Sequence, residues 1–427
     1  MHTEEARERC FLLGVEDGGK LHELPLTTSL EELAQLVTTA GGVVVGTTTQ
    51  RLRHHVNPAT LVGQGKLQEI LEARIQTPFD TLVIDAELSP TQQRNLEKFF
   101  GESVKILDRT ALILDIFAQR AHTHEAQLQV ELAQQEYLLP RLAGMFTFFS
   151  RTAGAVGGAT GIASRGPGET QLEADRRHVR QRIDHLQHEI DDIRRTRQLH
   201  RQHRQQLGVP VVSFVGYTNA GKSTLMNRLT DAGILAENRL FATLEPTLRR
   251  HHLPNGQEIV LSDTVGFIQK LPPKLIAAFR ATLEELEESS LLLVVVDISD
   301  PYHWERYTTV LGTLADLKLL SIPRLVVLNK VDLVADLPLS LLERYPHSVA
   351  VSAAQGIGIE ALEKEISRQL NQDLREVTVL IPYNKPEFLH LFHQRGAVAW
   401  ERYTNEGTAV RGKLPERLLT HFARFTQ

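Results

Sequence analysis

Eight consecutive residues, Gly216-Tyr217-Thr218-Asn219-Ala220-Gly221-Lys222-Ser223, have the types and spacing needed to hold a polyphosphate. They fit G-x-x-x-x-G-K-[ST], where glycines let backbone N–H groups wrap phosphate oxygens. Lys222 is expected to reach the β- and γ-phosphates and the Ser223 hydroxyl to bind Mg²⁺, with Thr224 completing the contacts. The apolar run 211–215 precedes the motif and a helical pattern, 224–229, follows it. That strand–loop–helix order places the phosphates at a helix N-terminus, which favours negative charge.

A phosphate loop selects a nucleoside triphosphate but not its base. The base reader is expected at Asn329-Lys330-Val331-Asp332, after the apolar strand 325–328. A carboxylate at Asp332 accepts from both N1–H and the exocyclic amine of guanine, a donor pair that adenine lacks. A polar site deprived of its partner discriminates strongly. Asn329 would tie this loop to the phosphate loop and touch the purine. Between the two lies Asp263-Thr264-Val265-Gly266, an Asp-x-x-Gly motif: Asp263 would hold Mg²⁺ through water, and the Gly266 N–H would sense the γ-phosphate. In the first switch position, 241–250, Thr247 is the preferred further Mg²⁺ ligand and Thr243 the fallback. The run 349–353 fits the last guanine loop, with Ser352 and Ala353 offering backbone to the base oxygen. Five motifs in this order specify a guanine-nucleotide site for GTP and GDP; separately, each could be an ordinary turn or cap. Lys222, Thr247 and Gly266 are the residues expected to act on the γ-phosphate.

Two positions bear on mechanism. Phe267 stands where Ras-like enzymes place a water-orienting glutamine. Phenylalanine cannot orient water, so hydrolysis by the isolated chain is expected to be slow until a partner completes the site; Phe267 can also simply pack. Asn219 is placed to admit a K⁺ bridging the phosphates, or only to hydrogen-bond the neighbouring switch.

The elements that position these groups follow from the hydrophobic patterns. The fold class is α/β. Residues 208–371 read as the nucleotide-binding domain with a mostly parallel sheet. Residues 1–120 alternate strand runs (42–45, 81–85, 104–107) with helices such as 67–75, a small parallel α/β domain. Two long helices follow, about Thr123–Leu142 and Glu169–Gln206, within a span 121–207. The second carries Leu172, Val179, Ile183, Leu186, Ile190 and Ile193 at heptad steps. At ~1.5 Å per residue it would be roughly 55 Å long. An antiparallel hairpin with the first helix is the simplest pairing, self-dimerisation the alternative. The connection, about 144–168, is Gly-rich with Arg151 and Arg165. It can serve as a flexible link, or as a probe whose glycines permit close backbone approach to RNA while its arginines meet phosphates. Residues 372–427 read as a small appended α/β domain with strands 377–381 and 397–400 and helices 387–394 and 415–424.

Composition fits a large cytoplasmic protein. The 427 residues leave room for two or three domains. A single cysteine, Cys10, excludes a disulfide framework or a cysteine-based metal site. Residues 1–8 lack a signal-peptide core, and the apolar run 291–296 is too short to span a bilayer. Net charge is −5, which does not advertise nucleic-acid binding, but 194–204 holds five arginines, two histidines and no acid. That stretch is a solvated helix face or an RNA contact. A monomer is expected; a peripheral membrane fraction is left open.

Several stretches outside the common nucleotide motifs narrow the reading further. Asp263-Thr264-Val265-Gly266-Phe267-Ile268-x-x-Leu271-Pro272 resembles the second switch of the HflX GTPases, as do 161–177 (GIASRGPGETQLEADRR), 57–66 (NPATLVGQGK) and 130–142 (VELAQQEYLLPRL). The resemblance runs from about residue 10 to the C-terminus and is weakest after about 372. Ile162-Ala163-Ser164 departs from the Gly-rich or basic stretch expected there. The resemblance implies a GTPase that associates with the large ribosomal subunit and its rRNA, sends the tip loop toward the peptidyl-transferase region, and splits or rescues stalled ribosomes under stress. The alternatives are a GTPase serving ribosome assembly or RNA modification, and a switch acting on a protein partner through the helical arm.

Overall fold

The computed structural model describes residues 7–17, 24–52, 57–142, 167–207, 209–230, 240–241, 243, 247–270, 286–335, 339–345, 347–371 and 374–426. The chain divides into two compact units.

The first unit comprises Met1–Thr196, Asn238–Glu245 and Gln269–Ala281. Its elements alternate: β1 (Arg9–Asp17), α1 (Leu26–Thr39), β2 (Val43–Leu52), α2 (Gln64–Gln76), β3 (Thr81–Ile84), α3 (Pro90–Phe100), β4 (Lys105–Asp108) and α4 (Arg109–Arg120). The four strands pair in parallel in the order β2-β1-β3-β4. Every residue of β3 is buried, as a strand covered on both faces must be. The helices begin where short polar side chains cap them. Ser89 and Gln92 form a capping box ahead of α3, with Pro90 in its first turn. Asp108 accepts from the Ala111 N–H to open α4.

The carboxyl end of this sheet holds a buried ionic cluster. Asp85, fully buried just after β3, accepts from Ser29 Oγ at 2.6 Å, Arg109 Nη1 at 2.8 Å and Lys270 Nζ at 2.7 Å. Arg109 Nη2 donates to Glu32 at 2.9 Å. Two carboxylates thus meet two cations in a low-dielectric setting, which offsets their desolvation.

α5 (His124–Leu138) and α6 (Pro167–Leu207) follow, close to the expected boundaries. Leu128 and Leu132 share a buried cluster with Ile183, Leu186 and Ile190. Glu131 takes a two-pronged bond from Arg182 at 2.7 and 2.8 Å. From Val179 to Ile193 the heptad seam of the second helix therefore packs on the first helix of the same chain. The expected Gly-rich tip lies almost wholly outside the described residues.

The second unit comprises Arg197–Glu237, Pro246–Ile268 and Thr282–Gln427. It contains β5 (Val211–Gly216), α7 (Lys222–Thr230), β6 (Thr247–His252), β7 (Glu258–Asp263), β8 (Leu291–Asp297), α8 (His303–Asp316), β9 (Arg324–Asn329), α9 (Leu339–Arg344), β10 (Ser348–Ala350) and α10 (Ile359–Leu370). The sheet order is β10-β9-β8-β5-β7-β6, all parallel except the β6–β7 pair. A mostly parallel nucleotide-binding sheet is thus present as read from the motifs. Its core joins Val212, Phe214, Leu293 and Val327 of the strands to Leu225 and Met226 of α7.

The same unit ends in β11 (Leu374–Ile381), α11 (Pro386–Arg395), β12 (Ala397–Tyr403), β13 (Thr408–Pro415) and α12 (Glu416–Phe422). Here the structure adds a strand. β13 is the centre of an antiparallel β11-β13-β12 sheet, whereas the sequence predicts two strands and a helix starting at 415. Gly412 and the terminal Pro415 weaken the strand signal of 408–415, and only pairing on both sides holds it extended.

Candidate nucleotide site

Val212 to Gly216 of β5 are buried, so the strand delivers the phosphate loop rigidly to its carboxyl end. Loop geometry then depends on left-handed backbone at Asn219 (φ 61°) and Gly221 (φ 94°). A Cβ on Gly221 would stand 2.2 Å from Asn329 Nδ2, so both conformation and space demand glycine. Asn219 is exposed, while Tyr217, Thr218 and Ala220 are buried. Lys222, first residue of α7, folds back and donates to the carbonyls of Gly216 (3.2 Å) and Tyr217 (2.9 Å). Burial pulls its amine down to about 8, and the Asp263 carboxylate partly opposes that shift. Phosphate oxygens would favour its charged form further.

β7 brings Asp263 to the same edge. Ser223 Oγ donates to Asp263 Oδ2 at 2.6 Å, and the Thr264 N–H donates to Oδ1 at 2.9 Å. Two of the three expected Mg²⁺ groups therefore lie together, and an all-oxygen set suits a hard cation. Thr247 opens β6 as the register partner of Asp263 across the antiparallel pair. Thr243, the fallback, falls in the first unit.

The Asp-x-x-Gly loop is laced to the phosphate loop through its backbone. The Phe267 N–H donates to the Gly216 carbonyl at 3.0 Å, and the Thr218 N–H donates to the Phe267 carbonyl at 2.8 Å. The Phe267 side chain is buried at 3 % exposure, so it packs, and no polar group at this position can hold a water. Gly266 comes so close that a Cβ would lie 2.9 Å from Thr218 Cα and 3.0 Å from Lys222 Nζ. The Gly266 N–H therefore belongs to the neighbourhood of the group expected to meet the γ-phosphate.

β9 delivers the loop expected to read the base. Asn329, 2 % exposed, donates from Nδ2 to the Ala220 carbonyl at 2.8 Å and accepts the Ala353 N–H on Oδ1 at 3.0 Å. One side chain thus joins the phosphate loop, the Asn-Lys-x-Asp loop and the last guanine loop. Lys330 adopts left-handed backbone (φ 66°) and pairs with Asp297 at 2.7 Å. Asp332 follows in a 3₁₀ turn, Val331–Leu333. Ser352 is fully buried and caps its own turn, accepting the Gln355 N–H at 3.1 Å. Thr224 sits half-buried in the first turn of α7.

Sequence reasoning missed several supports. Arg228 of α7 donates to the carbonyls of Ala353 (3.1 Å) and Ala354 (2.5 Å), fastening the guanine loop from below. Thr264 Oγ1 donates to the Phe214 carbonyl at 2.6 Å. Arg306, held by Asp300 at 2.8 Å, lies 4.9 Å from the ring centroid of Tyr217. Asp300 apart, their partners are far away in sequence, so no local spacing signals them.

Three family models match in succession: a GTP-binding GTPase N-terminal region over 27–118, a GTP-binding GTPase middle region over 120–204, and a 50S ribosome-binding GTPase over 211–330. A GTPase HflX of Caldanaerobacter subterraneus subsp. tengcongensis is 42% identical over 408 residues, covering 96% of this chain and 91% of its relative. The chain belongs to the HflX GTPase family. The GTPase HflX of Escherichia coli (strain K12) is likewise 42% identical over 384 residues, 89% of this chain and 88% of that one. A crystal structure of a GTP-binding protein from Sulfolobus solfataricus in complex with GDP is 25% identical, covers 86% of this chain and 99% of that chain, and superposes with a TM-score of 0.43. As an HflX-family GTPase, the chain binds guanine nucleotide and hydrolyses GTP.

Proposed function

We propose that this GTPase associates with the large ribosomal subunit and, in its GTP state, splits or rescues stalled ribosomes. The observation that carries the reading is the backbone lacing of Phe267 to the phosphate loop. It makes the Asp-x-x-Gly loop respond to what the phosphate loop holds, while offering no side chain to orient water. A site that senses nucleotide and, among the described residues, packs a phenylalanine where a water-orienting group is expected suits a partner-stimulated switch. The 50S ribosome-binding description of the family model over 211–330 supports the ribosome as that partner.

In this scheme Ser223 and Thr247, and Asp263 through water, would hold Mg²⁺; when bound, the ion would neutralise charge on the β- and γ-phosphates. Lys222 leaves its two carbonyl partners for the phosphates. The Gly266 N–H donates to the γ-phosphate, and Asp332 reads the guanine edge. Asn219 is the place where K⁺ would act, and the hydrolysis rate in KCl against NaCl reads this directly. The helical arm with its Gly-rich tip would enter the subunit. A GTP state of higher affinity for one ribosomal state can shift the ribosome toward it; binding without that difference cannot. Hydrolysis then releases the factor. Cytoplasmic location follows from this reading. Among the described residues no helix is long and apolar enough to cross a membrane.

The test is co-sedimentation with purified large ribosomal subunits in GDP and in a non-hydrolysable GTP analogue, alongside the GTPase rate with and without subunits. Analogue-dependent binding with a large rate increase is expected. Equal or absent binding with no stimulation sinks the ribosomal reading and leaves a protein target of the arm as the explanation.

A further inference from the structure

Among the described residues, the C-terminal sheet is covered by helices on one face. Val377 and Val379 of β11 and Val410 and Leu414 of β13 pack against Phe392 of α11 and Phe422 of α12. Strand side chains alternate, and directly paired residues share a face. The residues between these core positions therefore point away from the helices. Register places Arg411 opposite Thr378 on one side and Trp400 on the other, and Arg402 opposite Ala409. The open face thus carries Trp400, Arg402, Arg411 and Lys413, with Glu376 as the acid among them.

Trp400 is on this face because of a bulge. Val398 pairs with Gly412, but Trp400 pairs with Arg411, so Ala399 is an extra residue in β12. Without it, Trp400 would register with Val410 and turn toward the helices. Bulges of this kind re-aim a side chain and cluster beside functional sites. The indole is 37 % exposed, and the Arg402 guanidinium lies 5.3 Å from its ring centroid. Arg411 is half exposed and pairs with Glu376 at 2.8 Å. The neighbouring acid of β12, Glu401, belongs to the other face, where it meets His393 at 3.0 Å. Among the described residues, three cations, one acid and an outward tryptophan remain on the open side, in a chain whose net charge is −5.

We propose that this sheet face binds single-stranded RNA, with a base stacked on Trp400 and backbone phosphates on Arg402, Arg411 and Lys413. The chemistry decides among polyanions. Phosphates need only the cations, whereas an exposed indole flanked by a guanidinium offers a stacking platform for a base. An acidic protein segment would meet the same charges and pack on the indole, and failure of the RNA titration below leaves it as the occupant. The proposal rests on the ribosomal reading only for the source of the RNA; the face itself is argued from register and charge.

The chain has two tryptophans, so Trp304→Phe leaves Trp400 as the sole indole reporter in the full-length protein. Oligouridylate long enough for such a site, about a dozen nucleotides, is titrated while indole emission is followed. Saturable quenching is expected. Arg411→Ala with Lys413→Ala should weaken it about tenfold and reduce the slope of log affinity against log salt by roughly 1.4, two phosphate contacts on a single strand. In the protein with both tryptophans, Trp400→Ala should weaken binding of labelled oligouridylate by roughly 5- to 150-fold, the usual worth of one stacked base. Absence of quenching, or quenching unchanged by the double substitution, overturns the proposal. Equal quenching by heparin or an RNA duplex also overturns it, because charge without stacking would then suffice. If quenching is absent while the protein still co-sediments with large subunits, this face fails and the ribosomal reading stands; quenching without subunit binding reverses that outcome.

Discussion

Asn329 is the joint of the nucleotide site, and its removal tests the geometry most directly. Asn329→Ala deletes the donor that meets the Ala220 carbonyl at 2.8 Å and the acceptor that meets the Ala353 N–H at 3.0 Å. The side chain is 2 % exposed, so water reaches the orphaned groups only through the space the substitution opens. Each buried polar group left without a partner costs about 1–3 kcal/mol, and partial rescue by one water makes about 2–4 kcal/mol a reasonable sum for the pair. At roughly 2–4 °C per kcal/mol for a unit of this size, the nucleotide-free protein should melt on the order of 5–10 °C earlier. The second measurement is GDP affinity from a fluorescent analogue. The phosphate and guanine loops must be re-ordered by the nucleotide once their joint is gone, so affinity should fall by roughly 10- to 100-fold. Asn329→Asp gives the control. Its carboxylate can still accept the Ala353 N–H but opposes the Ala220 carbonyl, so it should be no better than alanine. If Asn329→Ala melts normally without nucleotide yet binds weakly, the residue serves only as a base contact. If it melts normally and binds within twofold, the joint is not what holds the loops.

Further outcomes follow from named groups. Lys222→Ala should cripple GTP and GDP binding in the same fluorescence assay, and normal binding would overturn the assignment of this lysine to the phosphates. Asp332→Asn should move preference from guanine toward xanthine nucleotides, measured by competition, because the new amide presents a donor where the carboxylate accepted. Asp85→Ala removes the carboxylate that Arg109 and Lys270 share. Arg109 keeps Glu32 at 2.9 Å and Lys270 reaches solvent, so the loss should fall at or below the about 3–5 kcal/mol of breaking a buried pair, and hydrogen exchange should show the first unit loosened before the second. Cys10 is raised from its usual 9.0 to about 11, first by burial and then by the Glu8 carboxylate. Because the folded value lies above the unfolded one, this thiol's contribution to stability is full below 9.0 and is lost as pH rises through about 11. Cys10→Ala should flatten that alkaline arm of a melting-temperature profile.

The amino-acid sequence by itself marked the candidate nucleotide site and the GTPase family. Gly216 to Ser223, Asp263 to Gly266 and Asn329 to Asp332 are contiguous motifs whose function depends on backbone conformations set within a few residues. Heptad steps likewise marked α6, because a helix repeats its face every few residues. What the tertiary structure decided lies between elements. The Asn329 bond to Ala220 spans 109 residues, the Arg228 bond to Ala353 spans 125, and the Lys270 bond to Asp85 spans 185. No local periodicity encodes such pairs, since each exists only after separate strands or loops have been brought side by side. The lacing of Phe267 is backbone to backbone and leaves no trace in residue type. β13 and the outward turn of Trp400 were hidden for a related reason. A strand weakened by Gly412 becomes a strand only when neighbours pair with it, and one extra residue at Ala399 inverts which face a side chain takes.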